Sequence, residues 1–404
     1  NFSPCIAIPQ DERWGRHYEG YSEHIDIVSA MGEASIIGYQ TDKLGSVNHS
    51  IVACAKHFIA DGATVWGTGM GNQSDKIDRG NAPISDSLIR AKYLPPYQKA
   101  IDAGVGTVMA SFNSINDLKC HANGYLFNDL LKEEMGFDGF VISDWQGIDE
   151  IPGDYKSDIV KSVNAGLDMI MVPGAVKNGG EHYKTFLRLF KESVDEGLIL
   201  EERLDDAVRR ILRIKFRSGI MDNPMTDRSL LKKAGSDKHK TIAREAVQKS
   251  LVLLKNDGIL PLISSKNYYV TGSGSDDIGK QCGGWTIKWQ GELGDITKGT
   301  SILDGIEEYA TTNRNNDNEK FDAAVVVVGE DPYTEMKGDS DKLYLSKKDQ
   351  ESIDKVKKMN IPYVIVLITG RPLIINEIID NSNAFLVAWL PGTEGGGVAD
   401  ILFG

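Results

Sequence analysis

Short apolar runs alternate with longer amphipathic stretches along the first half of the chain. The short runs have the length of buried strands, whereas the longer stretches repeat their apolar residues with the period of a helix. The predicted strands span residues 5–9, 51–59, 107–112, 139–145 and 169–172. The predicted helices span residues 23–39, 84–103, 125–135, 159–164, 182–196 and 201–216. Continuously apolar strands that alternate with helices indicate a parallel sheet covered by helices.

This alternation favours an α/β fold of the (β/α)8 TIM-barrel type in residues 1–217. A complete barrel has eight strands, and the pattern in these residues provides five. We therefore expect the N-terminal part of the barrel to be missing from this sequence. The chain also begins and ends abruptly, at Asn1 and Gly404, so the absence of a leader segment says nothing about localisation.

A second α/β pattern follows a stretch of different character. Residues 218–240 combine Gly, Pro, Asp and Ser with little periodicity, which predicts a linker. In residues 241–404 the predicted strands lie at 268–271, 323–328, 364–368 and 385–389. The predicted helices lie near 242–254, 301–309, 347–358 and 373–379. We therefore expect an α/β sandwich domain after the linker, with its C-terminal end missing.

The composition narrows the class of partner. The chain has 58 acidic and 45 basic residues, a formal net charge of -13, and this balance argues against nucleic acid and anionic membranes, which bind basic surfaces. No apolar run approaches the roughly 18 residues of a membrane helix. The four cysteines lie far apart without a CxxC pair, so neither a structural zinc site nor a disulfide framework is predicted. Residues 48–50 and 72–74 fit the N-glycosylation pattern.

Asp144 stands where a predicted buried strand ends. The apolar residues of 139–145 lead into Ser143, Asp144 and Trp145, and in a parallel barrel the carboxyl ends of the strands open onto the active site. An aspartate here is about equally well explained as the N-cap of the next helix. The adjacent indole favours a sugar site, because the CH-rich face of a pyranose packs on an aromatic ring.

Cationic side chains follow two other strands of the same domain. Lys56 and His57 end the strand at 51–59, and Arg16 follows the strand at 5–9 by a few residues. Such groups donate hydrogen bonds to sugar hydroxyls, and a cation near a carboxylate keeps it ionised. The alternatives are a histidine that is satisfied within the core and an arginine in a solvated loop. For the Lys-His pair, the two interpretations are about equally supported.

The second domain carries two loops of interest. Residues 329–339 leave its most apolar strand and contain four acidic residues, Glu335 among them, although acidic loops are ordinarily just solvated. Trp285 and Trp289 lie on a glycine-flanked loop, and because exposed indoles are unfavourable, the pair indicates a binding rim. A strand followed by glycines at 268–274 is weakly similar to a dinucleotide turn, but the next glycine falls at 279, outside the GxGxxG spacing.

Several motifs together resemble glycoside hydrolase family 3, and within it the β-D-glucan exohydrolases. They are KHF at 56–58, GFVISDW at 139–145, IAREAVQKSLVLLKN at 242–256, CGGWTIKWQG at 282–291, GEDPYTEMKGD at 329–339 and AWLPGTEGGGVADILFG at 388–404. They occur in the family's order and cover essentially the whole chain. The resemblance implies a (β/α)8 barrel followed by an α/β sandwich, with the substrate pocket between the two.

The resemblance also implies the reaction. An exo-acting β-glucosidase of this kind releases glucose from the non-reducing ends of β-glucans or β-glucosides, with retained configuration and without metal or cofactor. Asp144 matches the nucleophile and Glu335 the acid/base, and in a retaining enzyme these carboxyl groups stand about 5–5.5 Å apart. Asp168 resembles a position of the barrel scaffold. Since polymeric glucans lie outside cells, the family leads us to expect a secreted, periplasmic or cell-wall protein.

The remaining site residues are also carried over from the family. Arg16, Lys56 and His57 match residues that hold the hydroxyls of the sugar being cleaved, and Trp145 and Trp289 resemble the indoles that clamp the next glucosyl unit. Two other functions stay open at this point. One is a carbohydrate-binding pseudo-enzyme that keeps the indoles without turnover, which the presence of both carboxylates disfavours. The other is a nucleotide-dependent oxidoreductase built on the second domain, which the glycine spacing disfavours.

Overall fold

The computed structural model describes residues 1–69, 76–174, 182–313 and 320–404. The chain divides into two compact units, Asn1–Arg228 and Ser229–Gly404, and the division falls within the stretch 218–240 predicted as a linker. The glycosylation pattern at 72–74 lies outside the described residues. Within the described residues, no helix combines the length and the apolar character needed to cross a membrane.

The first unit alternates strands and helices in the predicted order. Its strands are β1 (Cys54–Phe58), β2 (Asn81–Ala82), β3 (Thr107–Ala110), β4 (Ser114–Ile115), β5 (Leu118–Lys119) and β6 (Phe140–Ile142). Its α-helices are α1 (Ile25–Gln40), α2 (Asp86–Leu88), α3 (Leu94–Asp102), α4 (Tyr155–Asn164), α5 (His182–Asp195) and α6 (Glu201–Arg217). Ile89–Tyr93 and Tyr125–Glu134 are π-helical, and 3-10 turns occur at His17–Glu19, Asp61–Ala63, Cys120–Ala122 and Gly147–Glu150.

The helix predicted at 84–103 is divided in the structure. α2 passes into the π-helical segment Ile89–Tyr93, and α3 follows with proline in its first turn. Pro95 and Pro96 have no backbone N–H, so they cannot continue the hydrogen-bond ladder of the preceding turn. Proline is tolerated at the start of a helix, where the N–H groups have no intrahelical partner, and α3 therefore begins there.

Parallel chain segments form the centre of the first unit. β1, β3 and β6 pair in that order in one sheet. Single parallel bridges extend this row, from Cys5 to Lys56 on one side and from Ile142 to Met169 on the other. The strands predicted at 5–9 and 169–172 are thus each reduced to one bridge. Because all these segments run in one direction, the residues that follow them gather at one edge.

The core of the first unit packs helices against this sheet. Val108 of β3 and Val141 of β6 are fully buried in the same cluster as Val28 and Ile36 of α1 and Tyr97 of α3. Interiors packed in this way are as dense as organic crystals and deform little. The sheet edge is therefore a firm base for the loops that leave it.

The second unit contains one six-stranded sheet within the described residues. Its strands are β7 (Val252–Asn256), β8 (Asn267–Thr271), β9 (Thr311–Asn313), β10 (Ala323–Gly329), β11 (Tyr363–Ile368) and β12 (Ala384–Trp389). Its helices are α7 (Asp237–Ser250), α8 (Ile278–Cys282), α9 (Ile302–Glu307), α10 (Glu335–Gly338), α11 (Lys347–Met359), α12 (Asn376–Asn381) and α13 (Gly396–Phe403), after a 3-10 turn at Arg228–Lys232.

Both faces of this sheet are covered by helices. The strand order is β7-β12-β11-β10-β8-β9, and every pairing is parallel except that of β7 with β12. Alternate residues of β10 enter opposite cores: Val325 and Val327 pack with α7, α9 and α13, whereas Val326 and Val328 pack with α11 and α12. This explains why the strands read as continuous apolar runs in the sequence.

The prediction of one helix over 242–254 is wrong at its C-terminal end. α7 ends at Ser250, and the apolar run that follows it forms β7, which pairs antiparallel with β12 at the edge of the sheet. A short apolar run is compatible with either a helix or a strand. The strand is formed here because β12 has unpaired backbone N–H and C=O groups along its edge, and these groups form hydrogen bonds with the backbone of the run.

The order of the strands places two loops side by side. After β8 the chain crosses to the edge strand β9 and returns to β10 on the other side of β8. The carboxyl ends of β8 and β10 therefore flank a point where the strand order reverses, and open α/β sheets bind ligands outside such points. The loop that carries Trp285 and Trp289 follows β8, and the loop that carries Glu335 follows β10.

Candidate active site

Asp144 lies two residues beyond β6, at the edge where the parallel segments end. The preceding residue, Ser143, is fully buried. Its amide donates to the Met169 carbonyl (2.9 Å), and its Oγ accepts from the Met171 amide (2.8 Å). The Asp144 amide donates to Nε2 of His121 (3.1 Å). The backbone is therefore anchored on both sides of the position that carries the carboxylate.

The two carboxylate oxygens of Asp144 have different surroundings. Oδ1 accepts a hydrogen bond from the Trp145 amide at 2.6 Å. Oδ2 is buried and accepts no hydrogen bond from any described residue, while Nε2 of His57 lies 3.5 Å from it. A buried polar atom without a partner is unfavourable and calls for an explanation. An oxygen whose lone pairs are not engaged is suited to attack an electrophile.

Opposing electrostatic effects act on the Asp144 carboxylate. Burial raises its pKa above the usual 3.8, while the charge of Arg16, the hydrogen bond from the Trp145 amide and the charges of Lys56 and Arg79 act in the lowering direction. Burial favours the neutral acid, and nearby cations favour the anion. The cations therefore offset part of the penalty of keeping this buried carboxylate ionised.

His57 is held in one tautomer by its neighbours. Nη2 of Arg16 lies 3.1 Å from Nε2 of His57, and because an arginine only donates, Nε2 must accept. The proton therefore sits on Nδ1 and is donated to Oδ2 of Asp61 at 2.9 Å. Burial and the charge of Arg16 hold the pKa of His57 well below its usual value, so the ring is neutral.

The partners of His57 are themselves buried and paired. Arg16 makes two bonds of 2.8 Å to the carboxylate of Glu19, and Asp61 also accepts from the Gly62 amide at 3.0 Å. Burial raises the pKa of Asp61 to about 7. This chain of charged and polar groups fixes the Arg16 guanidinium and the His57 ring beside Asp144.

These residues border a small crevice in the first unit. Its lining residues include Arg16, His57, Asp61, Arg79 and Asn113. His57 lies near the end of β1, and the other four lie in segments outside the strands of this sheet. Its lining contains both hydrogen-bond donors and acceptors, as a site for the hydroxyl groups of an uncharged sugar requires. Trp145 is 63% exposed beside Asp144, which is unusual for an indole unless a ligand covers it.

The structure brings together most of the residues predicted for the first unit. Arg16 and His57 lie in contact, and His57 lies beside Asp144. Lys56, the half-buried neighbour of His57 in β1, contributes its charge to the same carboxylate.

Asp61, Arg79 and His121 are among the residues that border Asp144 or the crevice and were not predicted. Asp61 follows His57 by four residues on a short turn, and this close spacing in the sequence could have indicated that the two side chains interact. The other two meet the site only through long-range contacts.

Glu335 and Trp289 belong to the second unit, where they lie on neighbouring loops. Glu335 is buried (7% exposed) and begins α10 with a φ of 49°, a left-handed conformation that a residue with a Cβ adopts at a cost and that concentrates at functional sites. Gln290 links the loops: its Nε2 donates to Oγ1 of Thr334 (2.5 Å), and its Oε1 accepts from the Thr334 amide (3.2 Å). Trp289 is 46% exposed, and Nζ of Lys337 lies 5.7 Å from its ring centroid.

A buried arginine holds the base of the Glu335 loop. Nε of Arg371 donates to Oε1 of Glu330 (3.0 Å) and to the Tyr333 hydroxyl (2.8 Å), and Nη2 donates to the Gly338 carbonyl (2.7 Å). The guanidinium also lies over the Tyr333 ring at 4.1 Å. Arg371 therefore joins the start, middle and end of the segment that presents Glu335.

The glycines after β8 have a packing explanation. A Cβ on Gly272, whose φ is 101°, would lie 2.1 Å from the Val327 carbonyl oxygen of the neighbouring strand β10. The glycine therefore permits close approach of two strands, and this accounts for the segment that is weakly similar to a dinucleotide turn. In the described parts of the chain, no three His, Cys, Asp or Glu side chains converge in a group able to hold a metal ion.

Comparison with known proteins gives a consistent set of relatives. The family model "Glycosyl hydrolase family 3 N terminal domain" matches residues 1–214, and the model of the corresponding C-terminal domain matches residues 251–404. A lysosomal beta glucosidase of Dictyostelium discoideum is 30% identical over 100% of this chain and 52% of its own length. A periplasmic beta-glucosidase of Salmonella typhimurium is 28% identical over 100% of this chain and 57% of its own length.

Solved structures agree with these relatives. An exo-1,3/1,4-beta-glucanase from a Pseudoalteromonas species superimposes with a TM-score of 0.89 and 38% identity, over 99% of this chain and 51% of that one. A beta-glucosidase from Listeria innocua in complex with isofagomine gives a TM-score of 0.87 and 28% identity, over 100% of this chain and 57% of that one. The chain thus spans about half the length of the relatives that it matches.

Proposed function

The chain belongs to glycosyl hydrolase family 3, and from this premise we propose that it acts as a retaining, exo-acting β-glucosidase or β-D-glucan exohydrolase. Its substrates are β-glucans and β-glucosides, from whose non-reducing ends it releases glucose. The observation that carries the proposal is the Asp144 carboxylate, whose buried Oδ2 accepts no hydrogen bond from the described residues and is surrounded by cationic side chains. The β-glucosidases and exo-β-glucanase among its relatives support the same reaction.

In the proposed mechanism Asp144 is the nucleophile and Glu335 the acid/base. Oδ2 of Asp144 attacks the anomeric carbon while Glu335 protonates the departing glycosidic oxygen, and a covalent glucosyl-enzyme forms. Glu335 then removes a proton from a water molecule, which attacks the same carbon and releases glucose with retained configuration. We expect the two carboxyl groups to stand about 5–5.5 Å apart in the active enzyme, as this mechanism requires.

The other predicted residues have binding roles in this proposal. Arg16, Lys56 and His57 hold the hydroxyls of the sugar being cleaved. Arg16 and Lys56 act as hydrogen-bond donors, and the neutral His57 acts as an acceptor through Nε2. Trp145 and Trp289 clamp the next glucosyl unit through their exposed indoles, because sugar faces pack well on aromatic rings. A cellular location outside the cytosol follows from the substrate, and the relatives include periplasmic and lysosomal proteins.

The test is hydrolysis of an aryl β-D-glucoside by the full-length protein and by its Asp144→Asn variant. We expect kcat to fall by roughly 10⁴-fold or more, because an amide neither attacks nor carries the covalent intermediate. The matched control is Asp138→Asn, which makes the same substitution at an exposed aspartate paired with Arg217. A mechanism-based 2-deoxy-2-fluoroglucoside should label the peptide that contains Asp144.

The outcomes separate the possible functions. A folded wild-type protein that binds glucosides without hydrolysing them would replace the proposal with a carbohydrate-binding function. Equal activity of the Asp144→Asn variant would remove Asp144 from the role of nucleophile. The acid/base role is tested with Glu335→Gln. This variant should slow the hydrolysis of glucosides with poor leaving groups far more than that of glucosides of acidic phenols, because an acidic phenol departs without being protonated.

A further inference from the structure

Arg79 is clamped between an acid and an aromatic ring. Nη1 of Arg79 donates to Oε1 of Glu150 at 2.7 Å, and the guanidinium carbon lies 3.8 Å from the centroid of the Phe112 ring. Its φ of 58° places the backbone in the left-handed region, which a residue with a long side chain seldom adopts. An ion pair combined with stacking on a ring orients a guanidinium in both plane and direction.

Glu150 is in turn fixed to the nucleophile loop and to a buried lysine. It ends the 3-10 turn Gly147–Glu150, which begins three residues after Asp144. Nζ of Lys119, itself buried, donates to Oε2 of Glu150 (3.0 Å) and to the Phe112 carbonyl (2.7 Å). The clamp therefore connects Arg79 with the segment that carries the nucleophile.

The clamped guanidinium faces the crevice rather than the outer surface. Arg79 lines it together with Arg16, His57 and Asp61, and its side chain is 22% exposed. Its charge is among those that act on Asp144 and on His57. Nε of Arg79 also lies 3.8 Å from Oδ2 of Asp78, which lines the same crevice, so two carboxylates hold the guanidinium at this opening.

We propose that Arg79 is a further sugar-binding residue of this crevice, donating to a hydroxyl of the glucosyl unit whose bond is cleaved, and that Glu150 and Phe112 position it. The inference rests on the proposed function, because the ligand is the glycone of a β-glucoside. Arg79 contacts the substrate, whereas Glu150 acts through Arg79. The hydrogen bond from Arg79 favours glucosides that carry this hydroxyl over glucosides that lack it.

The experiment uses the full-length protein with Arg79→Met, Arg79→Lys and Glu150→Gln, and Arg217→Met as control. Arg217 pairs with Asp138 on the surface of the same unit, so its variant loses the same type of ion pair away from the crevice. kcat/KM is measured for an aryl β-D-glucoside and for its 2-, 3-, 4- and 6-deoxy analogues. Circular dichroism melts establish that each variant is folded.

For Arg79→Met we expect kcat/KM on the parent glucoside to fall about 10- to 100-fold, the size of a hydrogen bond from a charged group. On the deoxy analogue that lacks the partner hydroxyl, the loss should nearly disappear. Glu150→Gln should cause a smaller loss, roughly 3- to 10-fold, and combining it with Arg79→Met should add little, because both changes remove one interaction. Should Arg79→Met fail to fold, Arg79→Lys provides the same comparison with the charge retained.

The inference is overturned if Arg79→Met behaves like Arg217→Met, or if its loss is equal for every deoxy analogue. Either result would make Arg79 a purely structural residue. These outcomes differ from a failure of the proposed function, in which the wild-type protein itself hydrolyses none of the β-glucosides.

Discussion

His121 offers the sharpest test of how Asp144, the proposed nucleophile, is held in place. The ring is fully buried, and its Nε2 accepts the hydrogen bond of the Asp144 amide at 3.1 Å. A Cβ on Gly147 would lie 2.3 Å from the same nitrogen, so the segment that follows Asp144 packs directly against the ring. Burial, together with the charge of Lys119, lowers the pKa of His121 to about 3. His121 is thus a neutral acceptor throughout the physiological range of pH.

The perturbation is His121→Phe, which keeps a planar ring of similar size and removes the acceptor. The Asp144 amide then loses its partner, which we expect to destabilise the fold by about 1–2 kcal/mol at neutral pH. The misplaced carboxylate should also lower kcat by roughly 10- to 100-fold. His121→Gln is the matched variant, because its amide oxygen accepts a hydrogen bond without titrating.

The pH dependence of stability follows from the same pKa. Below pH 6.5 the unfolded chain binds a proton at residue 121, whereas the folded protein does not bind it until about pH 3. The unfolded state therefore binds more protons in this window, and stability falls as the pH falls. The slope is about 1.4 kcal/mol per pH unit, which amounts to about 2 kcal/mol between pH 6.5 and 5.0.

The assay is urea unfolding, followed by tryptophan fluorescence, of the wild type and both variants at pH 6.5 and 5.0. Groups common to all three proteins cancel in the differences, so the wild type should lose about 2 kcal/mol more than either variant on acidification. His121→Phe should also be the less stable of the two variants at pH 6.5. Identical pH slopes in all three proteins would refute the assignment of a neutral, buried His121.

Three further predictions concern other parts of the two units. Arg371→Met should destabilise the second unit by about 3–5 kcal/mol in urea unfolding, because it leaves the Glu330 carboxylate without its buried partner; a loss below about 1 kcal/mol would contradict this. Asp168→Asn should lower stability similarly and leave KM unchanged, since Asp168 is an internal brace bonded to Lys132 at 2.9 Å; a selective rise in KM would instead place it in the binding site. Trp289→Ala should raise KM for a β-linked disaccharide more than for an aryl glucoside of similar reactivity, and equal effects on both would argue against its role in clamping the second glucosyl unit.

Much of the fold was predictable because a buried strand or helix has a recognisable pattern of apolar residues in the sequence. The strands at 323–328 and 364–368 were recognised from continuous apolar runs, which a parallel sheet covered on both faces requires. The same rule failed at 251–256, where an apolar run after α7 is compatible with helix or strand. There the partner strand β12, more than a hundred residues further along the chain, decides the outcome.

The candidate site shows the same division. Asp144, His57 and Arg16 were candidates because polar residues after buried strands gather at one edge of a parallel sheet, and because they match the motifs of the family. His121 could not be predicted because its partner, Asp144, lies 23 residues further along the chain. The same holds for Arg79, whose partner, Glu150, lies 71 residues away. No local pattern distinguishes either residue from a core histidine or a solvated arginine.

The amino-acid sequence by itself determined the main alternation of strands and helices, the family, and the candidates for the reactive groups, because periodicity and motifs depend on neighbouring residues. Only the tertiary structure decided which oxygen of Asp144 accepts no hydrogen bond from the described residues, which nitrogen of His57 carries the proton, and where the Arg79 guanidinium points. These properties depend on hydrogen bonds and burial between segments far apart in the chain. They arise from packing in three dimensions, on which local sequence patterns carry little information.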